Sequence, residues 1–235
     1  MLIMSKYLNT EFLKENMMGP NAVKLLEELL QGLQFNPNMR VLDLGCGKGL
    51  TSIYLAEKFN VNVFAMDLWI SASENFQRFQ KIGMDHKIIP IHADALCPPF
   101  ADEYFDAVIS VDSYHYFGRD AQYLDAHLAP LVKKGGMIAL AFPGLKKELD
   151  TLPVEMALSW TAEDIETMHS CPWWQKLLQQ SKMLEIISIT EMNCFEECWN
   201  DWLSCENQYA ILDRPAMDAG AGKYMNFISV ICKRI

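Results

Sequence analysis

The 235-residue sequence predicts an α/β protein with a doubly wound sheet. From residue 40 to residue 142, short apolar runs alternate with segments of helical periodicity, which is typical of strands joined by crossover helices. The first run, Val41 to Leu44, leads into the turn Gly45-Cys-Gly-Lys-Gly49 and then into a helix with apolar positions at 50, 53, 55, 56 and 59. A strand, a glycine turn and a helix in this order indicate a site for a nucleotide-like ligand.

The elements can be assigned in chain order. Residues 1–38 have helical patterns at 11–14 and 22–33, which the breaker Met17-Met-Gly-Pro20 separates. Strands are then predicted at 41–44, 61–66, 88–91, 105–111 and 137–142, and helices at 50–59, 71–82 and 120–132. Ser71-Ala-Ser-Glu74 has the pattern of a capping box at the start of the second of these helices.

Past Pro143 the pattern changes. A helical insertion rich in Trp and Met is predicted to about Lys182, followed by a strand at 184–190, a helical stretch at 195–212 and a last strand at 227–232. Because consecutive strands here lack a full crossover, we expect an antiparallel finish. We interpret residues 1–235 as one domain, with a helical lid (1–38), a core (39–142), an insertion (143–182) and the C-terminal part of the sheet (183–235).

Charge and composition restrict the partners. The formal net charge of −10 argues against nucleic acid, whose binding depends on clustered Lys and Arg, and favours a small-molecule substrate. No apolar run approaches the roughly 20 residues of a membrane span, and Met1-Leu-Ile-Met4 is too short for a signal-peptide core, so we expect a cytoplasmic protein. The seven cysteines are scattered, and no histidine completes a zinc set with Cys194 and Cys198, so we expect reduced thiols and no metal.

The spacing of the glycine turn favours one kind of ligand. A dinucleotide site prefers Gly-x-Gly-x-x-Gly, whereas this chain has Gly45-x-Gly47-x-Gly49 with Asp43 before it. A carboxylate beside the turn repels a pyrophosphate but is able to hold a cation. S-adenosylmethionine fits, because it carries an ammonium and a sulfonium group. In an alternative role, Asp43 orients the loop by bonding backbone N–H groups.

Acidic residues after the next two strands extend this site. Asp67 follows the second strand, where a carboxylate is able to accept hydrogen bonds from both ribose hydroxyls. Leu68 and Trp69 offer apolar surface for an adenine. Asp94 and Ala95 follow the third strand, where Asp94 is placed to accept a hydrogen bond from the adenine amino group.

This combination of motifs resembles the class I S-adenosylmethionine-dependent methyltransferases of the small-molecule type, from about residue 40 to 142 and more weakly to the terminus. The resemblance implies a Rossmann-like sheet of seven strands with the last antiparallel, and S-adenosyl-L-homocysteine as the product. It also implies that Gly45 and Gly47, with Cys46 between them, contact the methionine part of the cofactor. Asp67 would bind the ribose and Asp94 the adenine.

The fourth strand ends in Asp112-Ser-Tyr-His-Tyr-Phe117, whose polar and aromatic groups we expect to face the crevice. We include Asp112 in the cofactor site. An amine or hydroxyl acceptor must lose a proton, and His115 is the side chain there with a suitable unperturbed pKa. Tyr114 or Tyr116 would position the acceptor through a hydrogen bond.

The segment around Met17-Met-Gly-Pro-Asn21 resembles the N-terminal lid of the phosphoethanolamine methyltransferase and cyclopropane-fatty-acid synthase-like branches. In such enzymes a Tyr and a His together handle the amine, which implies these roles for Tyr7 and His115. The sequence has no set of basic residues for a phosphate head group, which counts against phosphoethanolamine itself. Five of the six tryptophans lie beyond residue 159, where they either form an aromatic pocket for a cation or pack the lid on the sheet.

Other functions stay open beside methyl transfer to a small acceptor such as an amine. An NAD-dependent oxidoreductase on a similar sheet conflicts with the glycine spacing and with Asp43. A non-enzymatic cofactor-binding module conflicts with the intact Asp67 and Asp94. A nucleic-acid methyltransferase conflicts with the charge and with the missing Asn/Asp-Pro-Pro-Tyr-type segment after the fourth strand. The oligomeric state is not predicted.

Overall fold

The computed structural model of the chain describes residues 8–235. These residues form one sheet of seven strands, numbered in chain order: β1 (Arg40–Leu44), β2 (Asn62–Asp67), β3 (Ile88–His92), β4 (Phe105–Val111), β5 (Val132–Leu145), β6 (Leu184–Glu191) and β7 (Met225–Arg234). The strand order is β3-β2-β1-β4-β5-β7-β6. Strands β1 to β5 pair in parallel, and β7 is antiparallel to β5 and β6. The predicted doubly wound sheet with a last antiparallel strand is therefore confirmed.

The helices of the described chain are numbered in the same way: α1 (Thr10–Asn16), α2 (Ala22–Leu29), α3 (Leu50–Phe59), α4 (Ala72–Lys81), α5 (Tyr114–Phe117), α6 (Ala162–Ile165), α7 (Cys171–Leu178), α8 (Phe195–Leu203) and α9 (Gln208–Asp218). The predicted capping box at α4 is present, since Ser71 and Glu74 each accept a hydrogen bond from the other's backbone N–H. No helix within residues 8–235 is long and apolar enough to cross a membrane.

Both faces of the sheet are covered, as alternate residues of β1 show. Val41 belongs to one apolar cluster, and Leu42 and Leu44 belong to the other. Each of the three side chains exposes at most 1% of its surface. Burial on both faces explains the unbroken apolar run from which the strand was predicted.

The helix predicted over 120–132 is wrong. Leu124–Leu128 forms one π-helical turn and Ala129–Leu131 a short 3₁₀ turn, after which β5 begins at once. Pro130 lies in the second turn, and proline cannot supply the backbone N–H that a continuing α-helix needs.

β5 is longer than predicted and extends beyond Pro143 to Leu145. Proline is tolerated at this point because β5 pairs with β4 only as far as Ala141, which leaves one side of the strand unpaired. The insertion that follows consists of short pieces, namely the turn Met156–Leu158 and helices α6 and α7.

The described part of the predicted lid contains α1, α2 and the connecting residues 17–21; we keep the name lid for these residues, and Asn21 joins them to α8. The Asn21 N–H donates to Cys198 O at 3.2 Å, and its side-chain amide donates to Asp201 Oδ2 at 2.7 Å. The Asn21 Oδ1 also accepts hydrogen bonds from Val23 N–H and Lys24 N–H, which caps α2. One side chain therefore ties the lid to α8 and begins its second helix.

Candidate active site

A cavity of about 360 Å³ opens at the carboxyl ends of the parallel strands, where the strand order reverses between β1 and β4. Doubly wound sheets bind ligands at this position, and the volume lies in the range of small-molecule pockets. The walls come from the lid and from four strand ends: residues 16–20 with Ala22, 44–48 with Leu50 and Thr51, 66–69, 93–96, and 111–113 with Tyr116 and Phe117.

The glycine turn forms one wall. Gly45 and Gly47 have left-handed backbone angles, with φ of 74° and 53°, which residues with a Cβ adopt only at an energetic cost. Space is limited as well, because a Cβ on Gly45 would lie 2.2 Å from the Ser113 hydroxyl and one on Gly47 would lie 3.0 Å from the Met18 sulfur. The lid therefore rests directly against the backbone of the turn.

Backbone hydrogen bonds join the tips of β1, β2 and β3. The N–H groups of Gly45 and Cys46 both donate to Met66 O, at 2.8 and 3.1 Å. The Ala93 N–H donates to Asp67 O at 3.1 Å. The three segments that carry the predicted cofactor contacts are thus bonded to one another independently of any side chain.

Asp67 lines the cavity at the end of β2 and exposes 8% of its surface. Its Oδ2 accepts a hydrogen bond from Gly47 N–H at 2.8 Å, and its Oδ1 accepts from Trp69 N–H and Ile70 N–H at 2.8 and 2.9 Å. A carboxylate has about four acceptor positions, so these bonds within residues 8–235 leave one, on Oδ2. That position is available to a ribose hydroxyl, and acceptance from both hydroxyls stays a prediction.

Asp94 and Ala95 line the cavity after β3. The Asp94 Oδ1 accepts a hydrogen bond from Leu96 N–H, and Ala95 O accepts one from the Tyr123 hydroxyl, both at 2.9 Å. The second Asp94 oxygen makes no hydrogen bond within residues 8–235, and the side chain is exposed. That oxygen is available to a ligand.

Apolar and aromatic side chains surround the opening. Leu68 and Trp69 expose 51% and 68% of their surfaces, and Tyr116 exposes 52%. The rings of Trp69 and Tyr116 lie with their centroids 5.7 Å apart and their planes at 60°. Large exposed apolar groups that cluster around a cavity are typical of a ligand site.

Asp43 does not line the cavity, which corrects the prediction that it contacts the cofactor. Its side chain is 1% exposed, and its Oδ2 accepts hydrogen bonds from the Thr51 and Ser52 hydroxyls, both at 2.6 Å. Burial raises the pKa of Asp43 to about 6. Asp43 therefore orients the first turn of α3 from behind the glycine turn, through hydroxyl groups and not through backbone N–H groups.

His115 also lies outside the cavity wall, contrary to the expectation that its ring faces the crevice. Helix α5 makes a single turn, so its successive side chains point in different directions: the last two line the cavity and the first two are buried. His115 exposes 1% of its surface, and burial together with the charge of Arg119 lowers its pKa to about 3. Tyr7, the predicted partner of His115, lies outside the described residues.

Asp112 lines the cavity at the end of β4. Its backbone is left-handed with φ of 57°, which Asp tolerates better than most residues. The carboxylate faces the lid, since a Cβ on Gly19 would lie 2.4 Å from Asp112 Oδ2. Burial and the charge of Asp213 raise the pKa of Asp112 to about 7.

Asp213 of α9 was missed by the sequence analysis. Its Oδ1 accepts a hydrogen bond from the Trp160 indole N–H and its Oδ2 one from the Trp202 indole N–H, both at 2.8 Å. Burial and nearby carboxylates, Asp213 among them, raise the pKa of Tyr116 to about 12. Trp160 is 53 residues from Asp213 in sequence, so no local pattern identifies the contact. The density of tryptophans was the one available signal.

The remaining predicted features are Cys46, the tryptophans and the absence of a metal. Cys46 lines the cavity, but burial and then the charge of Asp43 raise the pKa of its thiol well above the usual value, so it stays protonated. None of Trp160, Trp173, Trp174, Trp199 and Trp202 lines the cavity. Within residues 8–235, no three His, Cys, Asp or Glu side chains converge as a metal site.

Comparison with known proteins agrees with this geometry. Residues 41–136 match the family model described as a methyltransferase domain. Methyltransferase GfsG of Streptomyces halstedii is 23% identical over 72% of this chain, and phosphoethanolamine N-methyltransferase 1 of Arabidopsis thaliana is 26% identical over 54% of it. The solved structure of Haemonchus contortus phosphoethanolamine N-methyltransferase 2 in complex with S-adenosyl-L-methionine has a TM-score of 0.73, with 17% identity, over 97% of this chain and 58% of that chain.

Residues 41–136 match a methyltransferase domain, and the chain is similar to the class I S-adenosylmethionine-dependent methyltransferases. This confirms the resemblance recognised from the glycine turn and the strand-end aspartates. The chain spans 61% of the length of the Streptomyces relative and 26% of that of the Arabidopsis relative. At 17% identity, the solved structure supports the fold alone.

Proposed function

We propose that this protein transfers a methyl group from S-adenosylmethionine to the nitrogen of a small amine that carries no phosphate group. The observation that carries the proposal is one cavity whose lining combines two kinds of group. The glycine turn and Asp67 suit a methyl donor, and we call them the donor end. Asp112, whose carboxylate makes no hydrogen bond within residues 8–235, and the exposed ring of Tyr116 suit an acceptor, and we call them the acceptor end.

The donor end fits S-adenosylmethionine. The glycine backbone lets a ligand approach closely, and the hydrogen bonds within residues 8–235 leave Asp67 and Asp94 each an acceptor position for a hydroxyl or amino group. Leu68 and Trp69 offer apolar contact to the adenine. When bound there, S-adenosylmethionine would supply a methyl group activated by its sulfonium. The protein's task is then to align the acceptor and exclude water.

The acceptor end is acidic and aromatic. Lys48 is the single Lys, Arg or His among the described residues that line the cavity, and its ammonium donates to Glu15 O of the lid at 3.1 Å. A phosphate would therefore find a single cation, whose ammonium already donates one of its three N–H groups to the lid. An ammonium group is attracted both by the carboxylate of Asp112 and by the face of an aromatic ring. The Arabidopsis relative named phosphoethanolamine N-methyltransferase 1 supports nitrogen as the methylated atom.

An NAD-dependent oxidoreductase receives less support. Asp43 no longer argues against a pyrophosphate, because it lies behind the glycine turn. Two observations still argue against this function. The three glycines lack the dinucleotide spacing, and residues 41–136 match a methyltransferase domain.

The test is a methyl-transfer assay with S-adenosylmethionine and matched acceptors, analysed by mass spectrometry. Phenethylamine and ethanolamine are compared with 2-phenylethanol, which replaces the amine by a hydroxyl, and with phosphoethanolamine, which adds a phosphate. We expect N-methylated product from at least one of the two amines, and at least about tenfold less from the alcohol and the phosphorylated amine, which is about 1.4 kcal/mol of discrimination. Product from the alcohol or phosphoethanolamine alone would overturn the proposal, as would cofactor binding by calorimetry without any product.

A further inference from the structure

An amine acceptor must lose a proton before it is methylated. His115, the predicted base, is not placed to accept it, because its side chain is buried and does not line the cavity. Asp112 lines the cavity, and its carboxylate makes no hydrogen bond within residues 8–235. We propose that Asp112 accepts the proton of the acceptor amine, an inference that rests on the proposed amine methylation. Asp112 is thereby assigned to the acceptor end and not, as predicted, to cofactor binding.

The backbone fixes where the Asp112 carboxylate lies. The Asp112 N–H donates to Ala141 O of β5 at 2.7 Å, and the hydroxyl of the next residue, Ser113, donates to Leu44 O of β1 at 2.9 Å. The turn at the end of β4 is thus bonded to both neighbouring strands. Its left-handed conformation directs the carboxylate towards Gly19 of the lid, so the group lies where the lid and the strand end enclose the cavity.

The reaction balances with these groups alone. One N–H bond of the acceptor ammonium breaks, and the proton forms an O–H bond with a carboxylate oxygen of Asp112. The freed lone pair on nitrogen forms the new N–C bond, while the C–S bond of the methyl donor breaks and its electron pair stays on sulfur. A carboxylate with a pKa near 7 is a stronger base than an ordinary aspartate. Transfer of the proton from the ammonium to Asp112 therefore costs less free energy.

Asp213 is a positioning residue for this chemistry. Its two oxygens are held by the indole N–H groups of Trp160 and Trp202, so its negative charge is fixed in place on α9. That charge opposes ionisation of Asp112 and so strengthens Asp112 as a base. The indole bonds favour the charged form of Asp213, although burial raises its own pKa.

Other charged or titratable groups belong to the same surroundings. Tyr116 of α5 is close enough for the Asp112 charge to raise its pKa, and Asp164 of α6 contributes to the same shift. Lys48, Asp67 and Asp94 lie in other walls of the cavity. Of all these, Asp213 is the group whose charge acts on the Asp112 carboxyl.

The pH dependence of kcat/KM tests the inference, with whichever amine of the panel above gives most product. We expect the wild-type value to rise with pH through about 7, because Asp112 must be ionised. Asp112→Asn keeps the size and tolerates the left-handed backbone, and we expect kcat/KM to fall at least about 100-fold with loss of this rise. Asp213→Asn should move the rise to lower pH, because it removes the repelling charge.

Two controls separate the possible failures. His115→Gln should leave the pH at which kcat/KM rises unchanged, and calorimetry should show that Asp112→Asn still binds S-adenosylmethionine. If the wild type methylates no amine, the proposed function fails. If the wild type methylates an amine, two results would contradict the role of Asp112. One is a kcat/KM of Asp112→Asn within about twofold of the wild-type value. The other is a pH profile of Asp213→Asn that matches that of the wild type. Should Asp112→Asn fail to fold, the Asp213→Asn profile decides.

Discussion

Asp67 joins the glycine turn to the chain after β2, because its two oxygens accept three backbone hydrogen bonds. Asp67→Asn replaces one acceptor oxygen by a donor amide, so at least one of these N–H groups loses its partner. We expect S-adenosylmethionine to bind at least about tenfold more weakly and the free energy of unfolding to fall by about 1–3 kcal/mol. Calorimetry and urea denaturation measure the two effects.

Asp94→Asn is the matched control for that prediction. The exposed Asp94 side chain accepts one hydrogen bond, from Leu96 N–H, so its replacement should weaken cofactor binding with little change in unfolding. If Asp67→Asn and Asp94→Asn lowered stability equally, then Asp67 would not be the structural link described above.

Gly45 and Gly135 separate backbone strain from steric conflict. Both have left-handed φ, 74° and 78°, but an added Cβ would lie 2.2 Å from the Ser113 hydroxyl at Gly45 and would meet nothing within 4 Å at Gly135. We expect Gly135→Ala to cost about 1–2 kcal/mol of unfolding free energy, the price of the left-handed backbone alone. Gly45→Ala should cost clearly more. Equal losses in thermal or urea unfolding would contradict the steric part of the argument.

At the scale of elements, the lid depends on its junction with α8. Asn21→Ala removes the cap of α2 and the bond to Asp201, so residues 17–20 should open more readily. We expect a loss of about 1–2 kcal/mol in stability and faster amide exchange in the lid, with weaker cofactor binding. Hydrogen exchange by mass spectrometry reports the change directly.

Asn9→Ala supplies the comparison, because the Asn9 side chain caps α1 by accepting a single hydrogen bond, from Phe12 N–H, and makes no hydrogen bond to α8 within residues 8–235. Its exchange effect should stay within α1. Exchange in residues 17–20 that rises equally in both variants would show that the junction with α8 does not hold the lid.

The sequence predicted those elements whose signal is local. The apolar run and glycine turn at β1 and the capping box at Ser71 are contained within a few residues, and the structure confirms them. β5 was underestimated because Pro143 is usually a strand breaker, and its tolerance depends on where the pairing with β4 ends. The point at which this pairing ends depends on the neighbouring strand, so it cannot be predicted from the sequence of β5 alone.

In the candidate site, too, the residues with a local sequence signal were predictable and the others were not. Asp67 and Asp94 follow strands directly, and parallel strands bring their ends to one edge, so their place was predictable. His115 was misplaced because the rotation of a one-turn helix is set by packing. Asp213 was missed because its two indole donors come from different segments of the chain.

At the scale of the whole molecule, the net charge of −10 leads to a prediction about the proposed amine substrate. A cationic amine is attracted by the field of an acidic protein, and added salt screens that field. We expect kcat/KM for the best amine to fall severalfold between low ionic strength and 0.5 M sodium chloride. Cofactor affinity, measured in parallel by calorimetry, should change less. A kcat/KM that does not depend on salt would show that the overall charge plays no part in substrate capture.

The hydrogen bonds among the tips of β1, β2 and β3 join backbone atoms, and the Asp213 side chain on α9 takes no part in them. A substitution at Asp213 would therefore change the charge near Asp112 while these bonds stay in place. If Asp112 acts as proposed, the strength of the base at the acceptor can be altered without rebuilding the wall that the three strand tips form.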